Sequence, residues 1–484
     1  MTNKLNALLA GCALLMVPSC AIPKLEDAQE APALPETFRG FTSEKSSARV
    51  RWDEFFKDKN LKRLISQALV GNQELRILAQ EVKVAAAEVQ ARRGEVLPSA
   101  NLVVGAGIER TSANTRDGAV EENLDIRDGK AFPEPLPDFL MGAELSWEVD
   151  IWHKLRNAQK SAALRYLASK EGQNFVVTRL VAEVAQSYYE LLALDSKLAA
   201  LEKTIEIQQR SLEIAKAGKA AARGTELAVQ RFQAEVHKNE SEVVLVRQEI
   251  IEVENEINQL VGRFPQPVER KGISFEGIVL SSPNTGVPAE LLRNRSDIRE
   301  AELELAAAGL DVKVARARFY PQLDLRAGLG YQAFNTRFLI RPESFAYGIA
   351  GDLVTPVLNR KAIKASYRTA NAKQLQKLYS YQRTVIKASV EVVNQMSRVK
   401  NFGNNVDLKE KQLASLTASV KSANDLFQNA RAEYVEVLLA QREMMEARVE
   451  LIEAKQKELS AVVQTYQAIG GGGQAVWKSS KSGL

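Results

Sequence analysis

Val89-Gln90-Ala91-Arg92-Arg93-Gly94-Glu95-Val96-Leu97-Pro98, followed by Leu102, Gly105 and Gly107, returns later in the chain. The second copy is Val312-Lys313-Val314-Ala315-Arg316-Ala317-Arg318-Phe319-Tyr320-Pro321, followed by Leu325, Gly328 and Gly330 at the same spacings. A second pair of segments confirms the repeat. Glu226-Leu227-Ala228-Val229 with Gln233 answers Tyr434-Val435-Glu436-Val437 with Gln441. Self-similarity at this distance means two copies of one structural unit. Each half reads helix, strand, loop, strand, long helix, turn, long helix.

Outward from each proline the pattern alternates with period two, the mark of a strand with unlike faces. Leu102, Val104, Ala106 and Ile108 share one face of the first strand; Met141, Ala143, Leu145, Trp147 and Val149 share one face of the second, opposite Gly142, Glu144, Ser146, Glu148 and Asp150. The third sets Leu323, Leu325, Ala327, Leu329 and Tyr331 against Asp324, Arg326, Gly328 and Gly330; the fourth sets Phe345, Tyr347, Ile349 and Leu353 against Ala346, Gly348, Ala350 and Asp352. Apolar on one face and polar or small on the other is the pattern of a membrane β-barrel strand whose inner face lines water. A soluble sheet with one dry face would show the same alternation strand by strand, but fits poorly with four such strands separated by helices.

The helices carry a different period. No proline interrupts Ile151 to Ala217, and Val177, Val184, Leu191, Leu198, Ile205 and Leu212 recur every seventh residue, with Leu180, Leu194 and Leu201 between them. After a turn from Gly218 to Gly224, Val229, Val236, Val243, Ile250 and Ile257 repeat the spacing, joined by Phe232, Val246, Val253 and Leu260. Sustained heptads of this kind are coiled-coil seams. At about 1.5 Å per residue the first helix would reach on the order of 100 Å.

Composition excludes several classes. Charged residues make 26% of the 484-residue chain, and the net charge of +5 (65 basic, 60 acidic) is dispersed along helix faces, so no nucleic-acid surface is expected. The two histidines, His153 and His237, lack ligand spacing, no nucleotide, zincin or nucleophile motif occurs, and Glu121-Glu122 reads as a solvated pair in a polar loop. No enzyme, metal site or cofactor is expected. Lys4 precedes a short apolar run, Leu5 to Val17, ending in Val17-Pro18-Ser19-Cys20-Ala21. A run this short has the layout of a secretory signal and not of a membrane span. A small residue before Cys20 resembles the lipobox of bacterial lipoproteins, which implies cleavage there and lipid on Cys20. Several acyl chains, at roughly 0.8 kcal/mol per buried methylene, would hold firmly. The other cysteine, Cys12, lies within the signal, so no disulfide is expected.

Four strands cannot close a barrel, and an open sheet edge in hydrocarbon leaves backbone groups unpaired at a cost of roughly several kcal/mol each. Oligomerisation is therefore demanded by the strand count, without fixing the number of copies.

Three further stretches carry a specific resemblance. Trp52-Asp53-Glu54-Phe55-Phe56-Lys57-Asp58 with Leu61, Leu64-Ile65, Ala68-Leu69, Asn72 and Leu75-Arg76 resembles the entry segment of the TolC-like outer membrane factor family, in its NodT-type lipoprotein branch. Leu145-Ser146-Trp147-Glu148-Val149-Asp150 resembles that family's second strand, and Pro288 to Arg299 its second-half opener, with Ser296 where proline is usual. The likeness runs from about Val50 to Ile469. It implies a mainly α fold with a membrane β-barrel part: a homotrimer whose four strands per subunit complete a twelve-stranded barrel, above a long periplasmic α-barrel. The expected divisions are a signal peptide at 1–19, lipid anchor and tether at 20–50, repeats at 51–287 and 288–469, and a flexible tail at 470–484. Residues 263–287 would belong to an equatorial belt.

The function implied is the outer-membrane channel of a tripartite efflux system, docked on a periplasmic adaptor (membrane fusion) protein and an inner-membrane pump, in contact with outer-membrane lipid. A protein-secretion exit duct of the type I kind and, in a different class, a periplasmic coiled-coil adaptor or structural lipoprotein are the rival readings. An adaptor needs no membrane-facing strands. Substrate choice lies mostly in the pump, so drug, metal and protein export leave the same signature here. The resemblance places adaptor docking at the helix–helix turns, with Lys219, Ala222, Gly224, Asn429 and Ala430; family members often carry glycine at the positions of Ala222 and Ala430. It places a pore gate just inside that tip, where family members have two acidic residues one turn apart. Glu436 and Leu439 stand there, with Val435 and Leu439 as apolar plugs and Arg431 nearby.

Overall fold

The computed structural model describes residues 22–27, 29, 33–127, 129–222, 224–270, 275–356, 360–429 and 431–472. Cys20, the signal segment and Ala430 lie outside these residues. The first half runs α1 (Trp52–Phe55), α2 (Lys59–Gly71), α3 (Gln73–Glu95), β1 (Ser99–Glu109), α4 (Arg116–Asn123), a small hairpin of β2 (Asp125–Arg127) and β3 (Lys130–Ala131), β4 (Leu136–Val149), α5 (Lys154–Ala220) and α6 (Glu226–Val261). The second half runs α7 (Pro288–Asn294), α8 (Ser296–Ala317), β5 (Gln322–Ala333), β6 (Phe345–Val354), α9 (Lys361–Gln428) and α10 (Tyr434–Ala468). The repeat is close in length: α5 and α9 have 67 and 68 residues, α6 and α10 have 36 and 35. Glu121 and Glu122 sit on α4, whose N-cap Thr115 accepts from the Gly118 amide, and not in an irregular loop.

Local chemistry sets the boundaries. Asp150 does not extend the second strand; its carboxylate accepts from the Leu155 and Arg156 amides at 3.0 and 2.9 Å and so caps the first turn of α5. Thr225 caps α6, and Gly262, at φ +78°, ends it by returning its amide to the Asn258 and Gln259 carbonyls.

The chain folds as two units. The first comprises 1–29, 84–166 and 303–378. Its centre is one antiparallel sheet in the order β1-β4-β5-β6. Below it Phe319 and Tyr367 meet edge-on at 5.6 Å, and Ile22 and Leu25 pack against that cluster.

The second unit comprises 30–83, 167–302 and 379–484. Its main core is the expected seam: Val177, Leu180, Val184, Leu191 and Leu201 of α5 against Val243, Val246, Ile250, Val253 and Ile257 of α6, joined by Met445, Ile452, Leu459 and Val463 of α10. Each such side chain removed from water contributes about 1.5–3 kcal/mol. Leu212, Val229 and Phe232 continue the seam with Tyr434 and Leu438. The opener motif also has a structural reason. Arg295, 4% exposed, grips Asp297 with two parallel bonds of 2.9 and 2.6 Å, and reaches Glu391 at 2.6 Å and the Ala468 carbonyl at 3.1 Å.

Two expectations change. Residues 33–50 are no free tether: Phe38 is fully buried beside Leu291, Ile298 and Ile469, Ser46 bridges Thr285, and the Ser47 amide bonds the Asn284 carbonyl at 2.8 Å. Nor is the tail loose from its first glycine. Gly470 to Gly472 are buried, Gly470 at φ +84° lies where an added Cβ would meet the Asn294 carbonyl at 2.5 Å, and the Gly471 amide bonds the Tyr466 carbonyl.

Candidate functional site

The strand register brings the alternating faces into line. Leu102 lies opposite Ala143, Ala143 opposite Leu329, and Leu329 opposite Tyr347. The next rows are Val104, Met141, Tyr331 and Phe345, then Ala100, Leu145, Ala327 and Ile349. All of one face is apolar, and it is uncovered: Leu102, Val104, Tyr347 and Ile349 are 88, 80, 79 and 84% exposed. An apolar face this large and bare is not a water-facing surface.

The other face collects the polar groups. Ser99, Ser146, Arg326 and Ala350 form one row; Asn101, Glu144, Gly328 and Gly348 another. Near the helical end Glu148, Asp324 and Asp352 stand directly opposite one another. Like charges so placed destabilise a sheet. Lys154 partly offsets this at Glu148, with Nζ to Oε1 at 2.6 Å, and Gln322 donates to Asp324 at 2.9 Å. Alternation in the sequence put each of these residues on the polar face; only the register makes them neighbours. Gly142 and Gly330 are required where β4 and β5 come together, since a Cβ on Gly330 would lie 2.6 Å from Gly142 Cα.

At the helix–helix turn after α5, Lys219 pairs with Glu226, and the Ala222 amide bonds the Lys219 carbonyl at 3.0 Å. Gln230 first, then Lys219, hold the Glu226 carboxyl below its ordinary range. Ala222 sits at φ +56°, a left-handed conformation that glycine adopts without cost. An added Cβ on Gly224 would meet the Lys219 amide nitrogen at 3.1 Å. At the second turn Asn429 bonds back to the Asp425 carbonyl through Nδ2 at 2.7 Å, and the Arg431 amide bonds the Leu426 carbonyl. Just inside it Glu436 and Leu439 are exposed and Val435 is half-buried, on the first turns of α10. Arg431 is exposed and makes no ion pair with Glu436 among the described residues.

Among the described residues no helix is long and apolar enough to cross a membrane, and no group of three or more His, Cys, Asp and Glu is arranged to hold a metal ion. His237 faces Glu240 at 3.0 Å on an exposed helix face.

Comparison with known proteins agrees with this geometry. Residues 64–263 and 287–471 match the family described as outer membrane efflux protein, one segment for each repeat. The chain is 25% identical to the cation efflux system protein CusC of Escherichia coli over 423 residues, 87% of this chain and 88% of that one. It is also 25% identical to the pyoverdine export outer membrane protein OpmQ of Pseudomonas aeruginosa over 484 residues, 100% of this chain and 99% of that one. The solved structure of the outer-membrane channel OprN superposes with a TM-score of 0.83 at 23% identity, covering 93% of this chain and 99% of that one. The chain belongs to the outer membrane efflux protein family, and it is the outer-membrane channel component of an efflux system.

Proposed function

We propose that this chain is the passive, non-enzymatic exit duct of a tripartite system, a homotrimer receiving small solutes or ions from an inner-membrane pump through a periplasmic adaptor. The observation that carries the reading is the sheet: one bare apolar face, and two outer strands, β1 and β6, each paired on one side only. In a bilayer those edges require partners. Pairing β6 of one copy with β1 of the next closes the ring, and three copies give twelve strands around a water-filled bore. The number three follows from the family resemblance. Relatives named for cation efflux and pyoverdine export support small cargo.

Lipid on Cys20 would add an outer-membrane anchor, and Cys20→Ser should abolish metabolic labelling with palmitate while leaving the barrel membrane-bound. The adaptor would meet the turns at Lys219 and Asn429. Cysteines at these two positions should crosslink to the co-expressed adaptor in cells; crosslinks arising only from the belt would refute the tip assignment. In the trimer three Glu436 carboxylates would ring the pore beside Val435 and Leu439. Charges within a Debye length of ~8 Å repel appreciably, and such a ring favours cations in a pore. Glu436→Ala should change single-channel conductance and weaken block by divalent cations, with trimer yield unchanged. An unaltered conductance and divalent sensitivity would show that Glu436 is not the gate.

A further inference from the structure

We propose that the loop joining β5 to β6 anchors the duct to phosphate-bearing lipid headgroups of the outer leaflet. The inference rests on the reading of the four strands as membrane-spanning, with this loop at the end of the sheet away from the long helices. Residues 334–344 read Phe-Asn-Thr-Arg-Phe-Leu-Ile-Arg-Pro-Glu-Ser, three apolar side chains between Arg337 and Arg341. The loop is folded, not slack. The Phe338 amide bonds the Asn335 carbonyl at 3.0 Å, the Arg341 amide bonds the Phe338 carbonyl at 3.0 Å, and the Ser344 hydroxyl donates to the same carbonyl at 2.8 Å.

This fold presents what a water-facing turn would hide. Ile340 is 76% exposed. Arg337 and Arg341 are both exposed, and neither has a carboxylate partner among the described residues, Glu343 included. The Arg341 guanidinium lies 4.8 Å over the Phe338 ring. In the loop between β1 and β4, Arg110 pairs with Glu134 at 2.7 Å and Arg116 with Asp117 at 3.4 Å. That loop also bares Val120 and Leu124; what marks the β5–β6 loop is one exposed apolar side chain set between two arginines that lack a carboxylate partner among the described residues. It also continues the apolar sheet face, through Tyr331 against Phe345 at 5.6 Å and Phe345 against Tyr347 at 6.2 Å. Aromatic side chains ending in long cationic ones are the arrangement of a membrane boundary. An unpaired guanidinium is a bidentate donor matched to phosphate oxygens.

The rival occupant is the β1–β4 loop of a neighbouring copy, which carries more acidic than basic residues. That loop would answer the arginines and has Val120 and Leu124 exposed to meet Ile340; the lipid is favoured because the β5–β6 loop continues the bare apolar face of the sheet.

The test uses the full-length oligomer in detergent, probed by native mass spectrometry with bisphosphorylated lipid A, with the same lipid stripped of phosphate, and with inorganic phosphate. The parent should retain lipid A at least about tenfold more tightly than the dephosphorylated lipid. Arg337→Gln/Arg341→Gln should lose that preference while still forming the oligomer. Inorganic phosphate alone should not displace the lipid. Equal retention of lipid A by the double variant overturns the proposal. So does loss of the oligomer without lipid, if Glu121→Gln/Glu122→Gln causes the same loss, since the loop is then a clasp between copies. A parent protein that does not insert into lipid vesicles at all overturns the membrane reading itself.

Discussion

Ile349 and Asp352 sit three residues apart on β6, on opposite faces of the sheet, and the same substitution at each should have opposite consequences. Ile349 lies at the middle of β6 in the row of Ala100, Leu145 and Ala327, 84% exposed on the apolar face. Ile349→Arg places a guanidinium in hydrocarbon near the midplane, at a cost of about 2–4 kcal/mol per subunit. Three subunits in one barrel would carry roughly 6–12 kcal/mol, beyond what a marginally stable assembly tolerates. Asp352→Arg introduces the same group on the polar face, directly opposite Asp324. It replaces one like-charge opposition with an attractive pair, each of about 0.2–1 kcal/mol, so the net effect is neutral to slightly stabilising. Outer-membrane fractions analysed on unheated gels report the oligomer band, and heating reports the monomer. Ile349→Arg should deplete the oligomer and Asp352→Arg should preserve it. Equal oligomer yield for both variants would mean that the apolar face is not in lipid.

Ala222→Gly should stabilise the first tip turn. The left-handed conformation costs an alanine about 1–2 kcal/mol, offset by about 0.5–1 kcal/mol of extra chain entropy for glycine, leaving a net gain near 0.5–1 kcal/mol, readable as slower amide exchange at 218–226. Arg295→Leu leaves Asp297, Glu391 and the Ala468 carbonyl without their shared donor, and should cost about 3–5 kcal/mol by thermal denaturation, whereas an exposed change such as Arg231→Leu should not. Glu183 is half-buried and Glu190 exposed, yet both carboxyl pKa values are raised, first by partial desolvation; at Glu183 Arg179 opposes this and Glu74 and Glu256 add to it, and at Glu190 Glu256 and Glu249 add to it. The folded state then binds more protons than the unfolded one just above the ordinary carboxylate range. The coil should therefore lose stability as pH rises through and above the ordinary carboxylate range, and Glu183→Gln/Glu190→Gln should flatten that dependence in thermal midpoints.

The order of elements was legible because each period has its own physical origin. A strand turns a side chain to the opposite face at every residue, and a coiled-coil seam returns every seventh, so Leu102 to Leu353 and Val177 to Leu260 announce themselves without a partner in view. The repeat was legible because two copies at one spacing require no tertiary knowledge. The tertiary structure alone decided which rows meet. Glu148, Asp324 and Asp352 come from strands as far apart in the chain as 148 and 352, and a shift of one residue would have turned each strand's faces over. Ala222 at positive φ is set by how α5 hands over to α6, a backbone geometry that an alanine does not advertise. The expected divisions made 20–50 a tether and 470–484 a flexible tail; at Phe38 and Gly470 packing decided otherwise, because burial depends on Leu291, Ile298 and Asn294 arriving from elsewhere in the chain.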